Sequence, residues 1–376
     1  MEKKFIYADY AATSPVEENV MSVMLPYFTE FFGNPSGVHC ASRTAAKAVS
    51  EARRKIADAI GADFSEIYFT SGGTEADNWA LSAASGKKIV TASVEHKAVL
   101  NSCKALEKAG TAVNYLPVNS DGMVTAKQVE AAIDNETALV SVMYANNEIG
   151  TVMPIDEIAE VCREKGVLFH TDAVQAFGNL PVNVTGIDML SCSGHKIGAP
   201  KGVGFLYVRK GTPIESLIHG GNQEFGRRGG TENVPAIVGL GEAVTLACKN
   251  TKAASEYVQG LRDKLIDGLL DIPDARLNGS IENRLCGNVN ISFADVESEA
   301  VLLMLDAAGI CASGGSACTT GENEPSHVLT AIGVPAKYIN GTVRFTLSYR
   351  NTADEVEYIV EKTAEIIERL RRIRKA

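Results

Sequence analysis

The chain has 376 residues, of which 45% are hydrophobic and 22% charged, and this length is sufficient for two globular domains. Its formal net charge of −10 argues against nucleic acid as a direct partner, because phosphate binding needs a concentrated basic surface. No apolar run approaches the roughly 20 residues of a membrane span, and the start at Met1 lacks the apolar core of a signal peptide, so we expect a cytoplasmic protein that does not bind membranes.

The eight cysteines are scattered and form no Cys-x-x-Cys pair, which indicates reduced thiols in the cytosol. Cys192 and His195 have the spacing of zinc ligands, but no second pair accompanies them. Cys192 alternates with Leu190 in a strand-like run, so we predict a buried core thiol there and no resident metal ion.

Short apolar runs rich in β-branched residues alternate with helical patterns between about residues 64 and 210. This alternation predicts a mainly parallel sheet covered by helices on both faces, with ligands collecting at the carboxyl ends of the strands. The predicted strands are Glu66–Thr70, Lys88–Ala92, Ala112–Leu116, Ala138–Tyr144, Val167–Asp172, Met189–Ser193 and Gly204–Val208.

The C-terminal third predicts a smaller α+β unit. A long helical region from Val234 to Leu270 leaves the first unit and is broken at Pro273. The remaining elements are predicted as strands Val289–Phe293 and Thr342–Ser348, with helices Ser298–Ala308, near Val328 and from Ala353. We therefore expect a large domain over residues 14–250 and a small domain over residues 251–376, joined by residues 1–13.

The segment Ser193-Gly194-His195-Lys196 follows one predicted strand, and Asp172 closes the strand before it. A lysine amine can form a Schiff base with the aldehyde of pyridoxal phosphate, and an aspartate can keep the pyridine nitrogen protonated. Taken alone, Lys196 would be interpreted as a solvated charge in a loop. An aspartate at a strand end is sometimes no more than a helix cap. The two together favour a pyridoxal phosphate site.

Three further segments follow strand ends and are ambiguous by themselves. Ser71-Gly72-Gly73-Thr74-Glu75 could bind phosphate at a helix start or could be a plain capped turn. His96 could lie over a cofactor and move a proton, or could only cap a helix. Asn147, in Asn146-Asn147-Glu148, could donate to a ring oxygen or belong to a polar turn.

Taken in order, these motifs resemble the cysteine desulfurases of the NifS/IscS type, within the class V aminotransferase group. The resemblance covers nearly the whole chain. Its landmarks are Tyr7–Thr13, Gly33–Ser36, Phe69–Glu75, Glu95–Leu100, Asn146–Gly150, Ser193–Lys196, Gly314–Cys318 and Arg344–Leu347.

The resemblance implies a homodimeric α/β enzyme of the aspartate-aminotransferase fold, which is fold type I of the pyridoxal-phosphate-dependent transferases, with a mainly parallel seven-stranded sheet. Lys196 would carry the cofactor, His96 would stack on its ring and act as a catalytic residue, and Asp172 would pair with the ring nitrogen. The remaining cofactor contacts would come from Gly73, Thr74, Asn147, Gln175, Ser193, His195 and, from the second subunit, Thr231. Asn147 and Arg344 would receive the substrate carboxylate.

Cys318 lies in a segment rich in Gly, Ser, Thr and Asn, which predicts a loop that moves easily. The resemblance implies that this thiol takes sulfur from L-cysteine as a persulfide, leaves L-alanine and passes the sulfur to acceptors such as an iron–sulfur scaffold, with tRNA thiolation as a further destination. Cys318 could also serve as a transient iron–sulfur ligand. The alternatives are a selenocysteine lyase or an aminotransferase of the same fold, or a non-enzymatic docking protein with a free surface cysteine.

Overall fold

The structure is a computed structural model that describes residues 5–249, 251–314 and 325–375. The predicted sulfur-accepting residue Cys318 lies outside the described residues. Among those that are described, no helix is both long enough and apolar enough to cross a membrane.

Thirteen strands lie in the described part of the chain. Seven of them form the main sheet, and the others form two smaller sheets. In chain order the strands are β1 Ile6–Tyr7, β2 Ile67–Thr70, β3 Lys88–Ala92, β4 Val113–Leu116, β5 Thr137–Ser141, β6 Leu168–Asp172, β7 Met189–Ser193, β8 Gly204–Val208, β9 Ala275–Leu277, β10 Asn288–Phe293, β11 Ile310–Cys311, β12 Ser313–Gly314 and β13 Thr342–Thr346.

The main sheet has the strand order β2-β8-β7-β6-β5-β3-β4. Strands β4, β3, β5, β6 and β7 run parallel to one another, whereas β8 is antiparallel to both β7 and β2. The predicted fold class, a mainly parallel seven-stranded sheet, is confirmed. Each predicted run between residues 66 and 208 became one strand. Some ends are shorter by one to three residues, and β5 begins one residue earlier than predicted.

The helices connect these strands and cover the sheets. They span Glu18–Met24, Pro26–Thr29, Cys40–Ile60, Gly73–Ser82, Lys97–Lys108, Ala126–Ala132, Ile155–Lys165, Val234–Lys249, Thr251–Leu270, Ser298–Ala307, His327–Ala331, Ala336–Ile339 and Ala353–Lys375. A short helical segment, Gln223–Gly226, contains two left-handed residues, and the turns Phe64–Glu66 and Gly194–Lys196 are 3₁₀.

Two hydrophobic cores lie on opposite faces of the main sheet. On one face Ile56 and Leu240, from helices Cys40–Ile60 and Val234–Lys249, pack with Leu190 and Cys192 of β7. On the other face Trp79, from Gly73–Ser82, packs with neighbours that include Met189 of the same strand. Alternate side chains of β7 therefore enter alternate cores, and Cys192 is the buried core thiol that its alternation with Leu190 predicts.

A third core lies under the four-stranded sheet, whose order is β12-β13-β10-β9. Strands β10 and β13 contribute Ile291 and Phe345, and helices Thr251–Leu270 and Ala353–Lys375 cover them. Ile6 of β1 enters this core because β1 pairs in parallel with β11. The division into residues 14–250 and 251–376 with 1–13 stays a prediction.

Candidate functional site

A cavity of about 380 Å³ lies at the carboxyl ends of the parallel strands, where the N-terminal segment and β13 approach the main sheet. Ten of the predicted site residues line it. These ten are Gly73, Thr74, His96, Asn147, Asp172, Gln175, Ser193, His195, Lys196 and Arg344.

Lys196 ends the 3₁₀ turn that follows β7, so its position is set by the end of a central strand. Its Nζ donates hydrogen bonds to the carbonyl oxygens of Ala11 at 2.6 Å and Ala12 at 2.8 Å. The Nε2 of Gln175 donates to the same Ala11 carbonyl at 3.0 Å. The N-terminal segment thus orients two of the nominated side chains, a role that the sequence alone did not indicate.

Asp172 is the last residue of β6 and is buried beside the cavity. Burial raises the pKa of its carboxyl group, while the neighbouring His96 and Lys196 act in the opposite direction. Its Oδ1 accepts a hydrogen bond from the backbone N–H of Val174 at 2.9 Å. A buried carboxylate held in this way is suited to pair with a protonated ring nitrogen.

Two ionisable side chains that the sequence analysis missed lie behind Asp172. His170 is fully buried between the hydroxyls of Ser141, at 2.9 Å, and Ser191, at 3.0 Å, and burial lowers its pKa to about 3. Asp77 has a pKa raised well above its ordinary value, first by burial and then by Asp172. Burial therefore opposes the charged form of both groups.

His96 caps the helix Lys97–Lys108, and this contact fixes the proton on its ring. The backbone N–H of Ala98 donates to His96 Nδ1 at 3.1 Å, so Nδ1 keeps its lone pair and the neutral ring carries its hydrogen on Nε2. Burial lowers the pKa of His96, and Lys196 contributes in the same direction. The capping and cavity-lining interpretations of His96 are therefore compatible, because one ring nitrogen caps the helix and the other remains for the cavity.

The start of helix Gly73–Ser82 forms the other end of the site. A second cavity of about 400 Å³ shares Gly73, Thr74, Ser193 and His195 with the first. A Cβ at position 73 would lie 2.7 Å from Val174 Cγ2, so the close approach of these segments requires glycine. Unpaired N–H groups and the helix dipole make such a start suitable for an anion.

Arg344 extends from β13 and forms the wall of the cavity opposite the main sheet. Its Nη1 donates to the Asn147 carbonyl oxygen at 2.9 Å, and its Nη2 donates to Asp9 Oδ1 at 2.9 Å. Within the described residues, its buried Nε has no hydrogen-bond partner. Asp9 Oδ2 in turn accepts from the hydroxyl of Ser313 at 2.8 Å. This arrangement leaves a guanidinium donor for a carboxylate ligand.

Glu148 and His327 also line the cavity, although the sequence analysis did not nominate them. Burial raises the pKa of Glu148 to about 7, and its carboxylate accepts a hydrogen bond from the hydroxyl of Ser326. The Nε2 of His327 is 3.0 Å from the backbone carbonyl oxygen of Glu95. Glu148 could have been predicted from its position next to Asn147. No local motif indicates a role for His327.

Thr231 lies apart from the other nominated residues of its own chain. It is exposed and borders a small cavity of about 80 Å³ with Arg228 and Glu232. It is not among the residues that line either of the two larger cavities. Elsewhere in the described ranges, no group of three or more His, Cys, Asp and Glu side chains could hold a metal ion.

Comparisons with known proteins agree with this architecture. The family described as aminotransferase class-V matches residues 6–359. A cysteine desulfurase IscS of Methanosarcina thermophila is 50% identical over 378 residues, covering 98% of this chain and 94% of that protein. A cysteine desulfurase of Nostoc sp. is 50% identical over 374 residues, covering 97% of this chain and 94% of that protein.

Two solved structures are also similar over most of their length. A NifS-like protein superposes with a TM-score of 0.92 at 37% identity, covering 97% of this chain and 100% of that one. A structure described as SspA in complex with cysteine gives a TM-score of 0.82 at 39% identity, covering 92% of this chain and 100% of that one. The chain belongs to the class V aminotransferase family and, within it, to the cysteine desulfurases.

Proposed function

We propose that this protein is a pyridoxal-phosphate-dependent cysteine desulfurase that converts L-cysteine to L-alanine and transfers the sulfur to Cys318 as a persulfide. The observation that carries the proposal is the convergence of Lys196, Asp172, His96 and Arg344 on one cavity of about 380 Å³. Family membership supports the same activity. The side chains supply an amine, a buried acid, an aromatic hydrogen-bond donor and a carboxylate-binding group, which together suit an amino acid substrate.

The residues of the cavity fit pyridoxal phosphate. Lys196 would hold its aldehyde carbon, Asp172 would pair with its ring nitrogen and Gln175 would bond its ring hydroxyl. Its phosphate would be held at the start of helix Gly73–Ser82, where position 73 has no room for a Cβ. The other phosphate contacts in this proposal are Thr74, Ser193, His195 and the Thr231 of the second subunit.

When bound, pyridoxal phosphate supplies an electron-withdrawing ring that makes the Cα proton of the amino acid acidic. Lys196 would remove this proton, because its Nζ is held on the cavity side of the turn by the Ala11 and Ala12 carbonyl oxygens. His96 would donate a hydrogen bond from Nε2, since its Nδ1 is occupied by the Ala98 N–H. Lys196 and His96 would therefore have different roles, one moving a proton and the other orienting the reacting group.

Arg344 and Asn147 would bind the carboxylate of L-cysteine. Asn146 fixes this loop, because its Oδ1 accepts from the N–H groups of Glu148 at 2.9 Å and Ile149 at 3.0 Å. The Arg344 guanidinium is fixed by two hydrogen bonds, which leaves its orientation set before substrate arrives. A preorganised guanidinium loses little freedom on binding a planar anion.

Cys318 would accept the sulfur, because a thiolate is a far better nucleophile toward sulfur than a hydroxyl group. The sulfur would then pass to an acceptor protein such as an iron–sulfur scaffold. In the family as a whole, this step distinguishes a desulfurase from an aminotransferase that needs a keto-acid acceptor. The protein would act as a homodimer.

The test is a comparison of Cys318→Ser with the wild type. We expect the variant to retain the bound cofactor and the colour change on adding cysteine, but to lose sulfide and persulfide formation. Cys248→Ser is the matched control, because Cys248 is an exposed thiol on helix Val234–Lys249, and it should keep wild-type sulfur transfer. Sulfide release at the wild-type rate by Cys318→Ser would assign the transfer to another thiol or to direct elimination.

A further inference from the structure

We propose that His327 is a second catalytic histidine of this site and that its Nδ1 accepts the proton of a thiol in the cavity. This inference rests on the proposed desulfurase activity and deepens it. The conversion of a thiol and L-cysteine to a persulfide and L-alanine requires that one proton leave sulfur and that carbon gain one. The site must therefore contain a group that can take a proton from sulfur.

The hydrogen bond of His327 fixes the form of its ring. A backbone carbonyl oxygen can only accept, so the contact of 3.0 Å with Glu95 requires that His327 Nε2 carry the hydrogen. In the neutral ring Nδ1 then has the lone pair. Within the described residues, the contact with the Glu95 carbonyl oxygen is the hydrogen bond that the His327 ring makes. The ring also lines the cavity. Its free nitrogen is thus an acceptor.

The ring of His96 presents a hydrogen-bond donor to the cavity, whereas that of His327 presents an acceptor. Its Nδ1 accepts the Ala98 N–H, so Nε2 is the nitrogen that remains for the cavity and it carries a hydrogen. His96 can take up a proton on Nδ1 only by giving up the cap of helix Lys97–Lys108. The third histidine of the cavity, His195, has its Nδ1 3.1 Å from the Thr13 hydroxyl and also lines the second cavity. Of the other two, His327 is therefore the one with an available lone pair, while His96 acts as a hydrogen-bond donor.

The position of His327 is fixed by contacts on both sides. Ser326 accepts hydrogen bonds from the N–H groups of Val328 at 3.1 Å and Leu329 at 3.3 Å, and its hydroxyl donates to the buried Glu148. His327 is the first residue of the helix that Ser326 caps. A ring held by its own Nε2 and by the preceding residue presents Nδ1 in a defined place.

The charged groups around His327 keep it neutral. Burial lowers its pKa, and Lys97, His96 and Lys104, which face it from helix Lys97–Lys108 and its cap, act in the same direction. The Glu95 carbonyl oxygen acts in the opposite direction. No other residue of helix His327–Ala331 is ionisable. Near pH 7 the ring is therefore neutral and able to accept a proton.

In the proposed step the S–H bond breaks with its electron pair left on sulfur, and the proton forms a bond to Nδ1. The ring becomes a cation and returns to neutral by releasing this proton to water. Carbon takes its proton from the solvent pool. The step at His327 moves a proton and no electrons, so it needs no oxidant or reductant. The thiol could be that of the substrate or that of Cys318. The pH dependence of L-cysteine binding, measured with the wild type and with Cys318→Ser, distinguishes the two, because only the substrate thiol remains in that variant.

The first experiment compares His327→Gln with His39→Asn. Glutamine can keep a donor near the Glu95 carbonyl but cannot accept a proton, and asparagine at position 39 can keep the acceptor that His39 Nδ1 provides to Ser42. We expect His327→Gln to lower kcat by about ten- to a hundredfold, with a KM for L-cysteine within about twofold of wild type because Arg344 is unchanged. The control should show neither change.

The pH dependence of the two enzymes supplies the second measurement. Wild-type activity should decline as pH falls through the pKa of His327, which burial lowers from the ordinary histidine value, and His327→Gln should lack that part of the decline. A 15N spectrum of histidine-labelled wild-type holoenzyme, assigned by the signal that His327→Gln loses, should show hydrogen on Nε2. Hydrogen on Nδ1, or a variant with wild-type kcat and pH profile, would overturn the proposal.

Sequential assignment of the wild-type spectrum can replace the variant, so the spectrum decides the matter even if His327→Gln does not fold. The proposed function can fail independently of this inference. If wild-type protein forms no alanine from cysteine, the proposed function fails. If wild type is active and the spectrum or the variant contradicts the role of His327, the inference alone fails.

Discussion

The floor and the wall of the cavity are built in different ways. The floor, which we define as Asp172, Gln175 and Lys196, comes from the ends of two neighbouring strands of the main sheet and the segments that directly follow them. The wall, defined as Asp9, Glu148, His327 and Arg344, joins distant parts of the chain. Asp9 and Arg344, for example, are 335 residues apart in sequence and their side chains meet at 2.9 Å.

The two regions also differ in how they handle charge. Behind the floor, burial opposes the charged forms of His170 and Asp77, whereas the neighbouring His96 and Lys196 favour the charged form of Asp172. In the wall, Arg344 is compensated by a carboxylate, that of Asp9, and by the Asn147 carbonyl oxygen. The floor therefore suits a bound cationic ring, whereas the wall can exchange one anionic partner for another. The floor should control the chemistry and the wall the affinity for substrate.

Removing the floor amine should give the largest effect. Lys196→Ala should lower alanine formation by at least about a thousandfold, because Lys196 is the amine proposed to hold the cofactor and to move the Cα proton. The measurement is alanine production together with the visible absorbance of the lysine Schiff base, which should disappear. Lys210→Ala, at an exposed position after β8, should retain both. Normal turnover by Lys196→Ala would reject the assignment of the floor to chemistry.

A change in the wall should affect binding more than turnover. Arg344→Lys keeps the charge but cannot reproduce the planar donor set, and charged hydrogen bonds contribute about 1.5–3 kcal/mol each. We expect the KM for L-cysteine to rise by about ten- to a hundredfold, with a smaller change in kcat at saturating substrate. Steady-state kinetics measure both quantities.

Arg350→Lys is the matched control, because Arg350 forms an ion pair with Glu17 near the surface and does not line the cavity. It should leave KM within about twofold of wild type. Thermal denaturation shows whether Arg344→Lys is folded, since Arg344 is buried. A folded Arg344→Lys enzyme with an unchanged KM and a reduced kcat would contradict the division between floor and wall.

The contrast between floor and wall also explains which residues the sequence could predict. Strand ends are visible in a sequence as apolar runs followed by polar residues, and parallel neighbours bring such ends to one edge. Asp172 and Lys196 were found in this way, and the main sheet with them. Asp9 depends on the packing of the N-terminal segment beside β13, and His327 on the packing of helix His327–Ala331 into a core of the main sheet. No local period encodes either contact.

Buried titratable groups were missed for a related reason. His170 and Asp77 lie inside elements that the sequence marks only as a strand and a helix. The pKa of each group depends on its burial and on the charged groups beside it. Both are determined only when the sheet and its helices are packed together. The resemblance to the cysteine desulfurases supplied the roles of Arg344 and Asn147, because the residue pattern alone left the Asn147 turn ambiguous.

Thr231 tests whether the floor and wall of one chain make a complete site. In its own chain Thr231 is exposed and lines neither of the two larger cavities, yet the family resemblance assigns it to the phosphate of the neighbouring subunit. One hydrogen bond contributes about 0.5–1.5 kcal/mol, so Thr231→Ala should weaken cofactor binding by about two- to tenfold. Cofactor titration monitored by absorbance measures this change, and Thr44→Ala, at an exposed helix position, should show none.

The same contact would link cofactor binding to association of the subunits. A ligand that contacts both subunits stabilises the dimer by mass action, so apo-protein should dissociate at a higher concentration than holo-protein. Sedimentation of both forms across a dilution series measures the difference, and Thr231→Ala should reduce it. A monomer that keeps its cofactor and full activity would mean that one chain completes its own site. In that case the phosphate would be held by the start of helix Gly73–Ser82 together with Ser193 and His195, without Thr231.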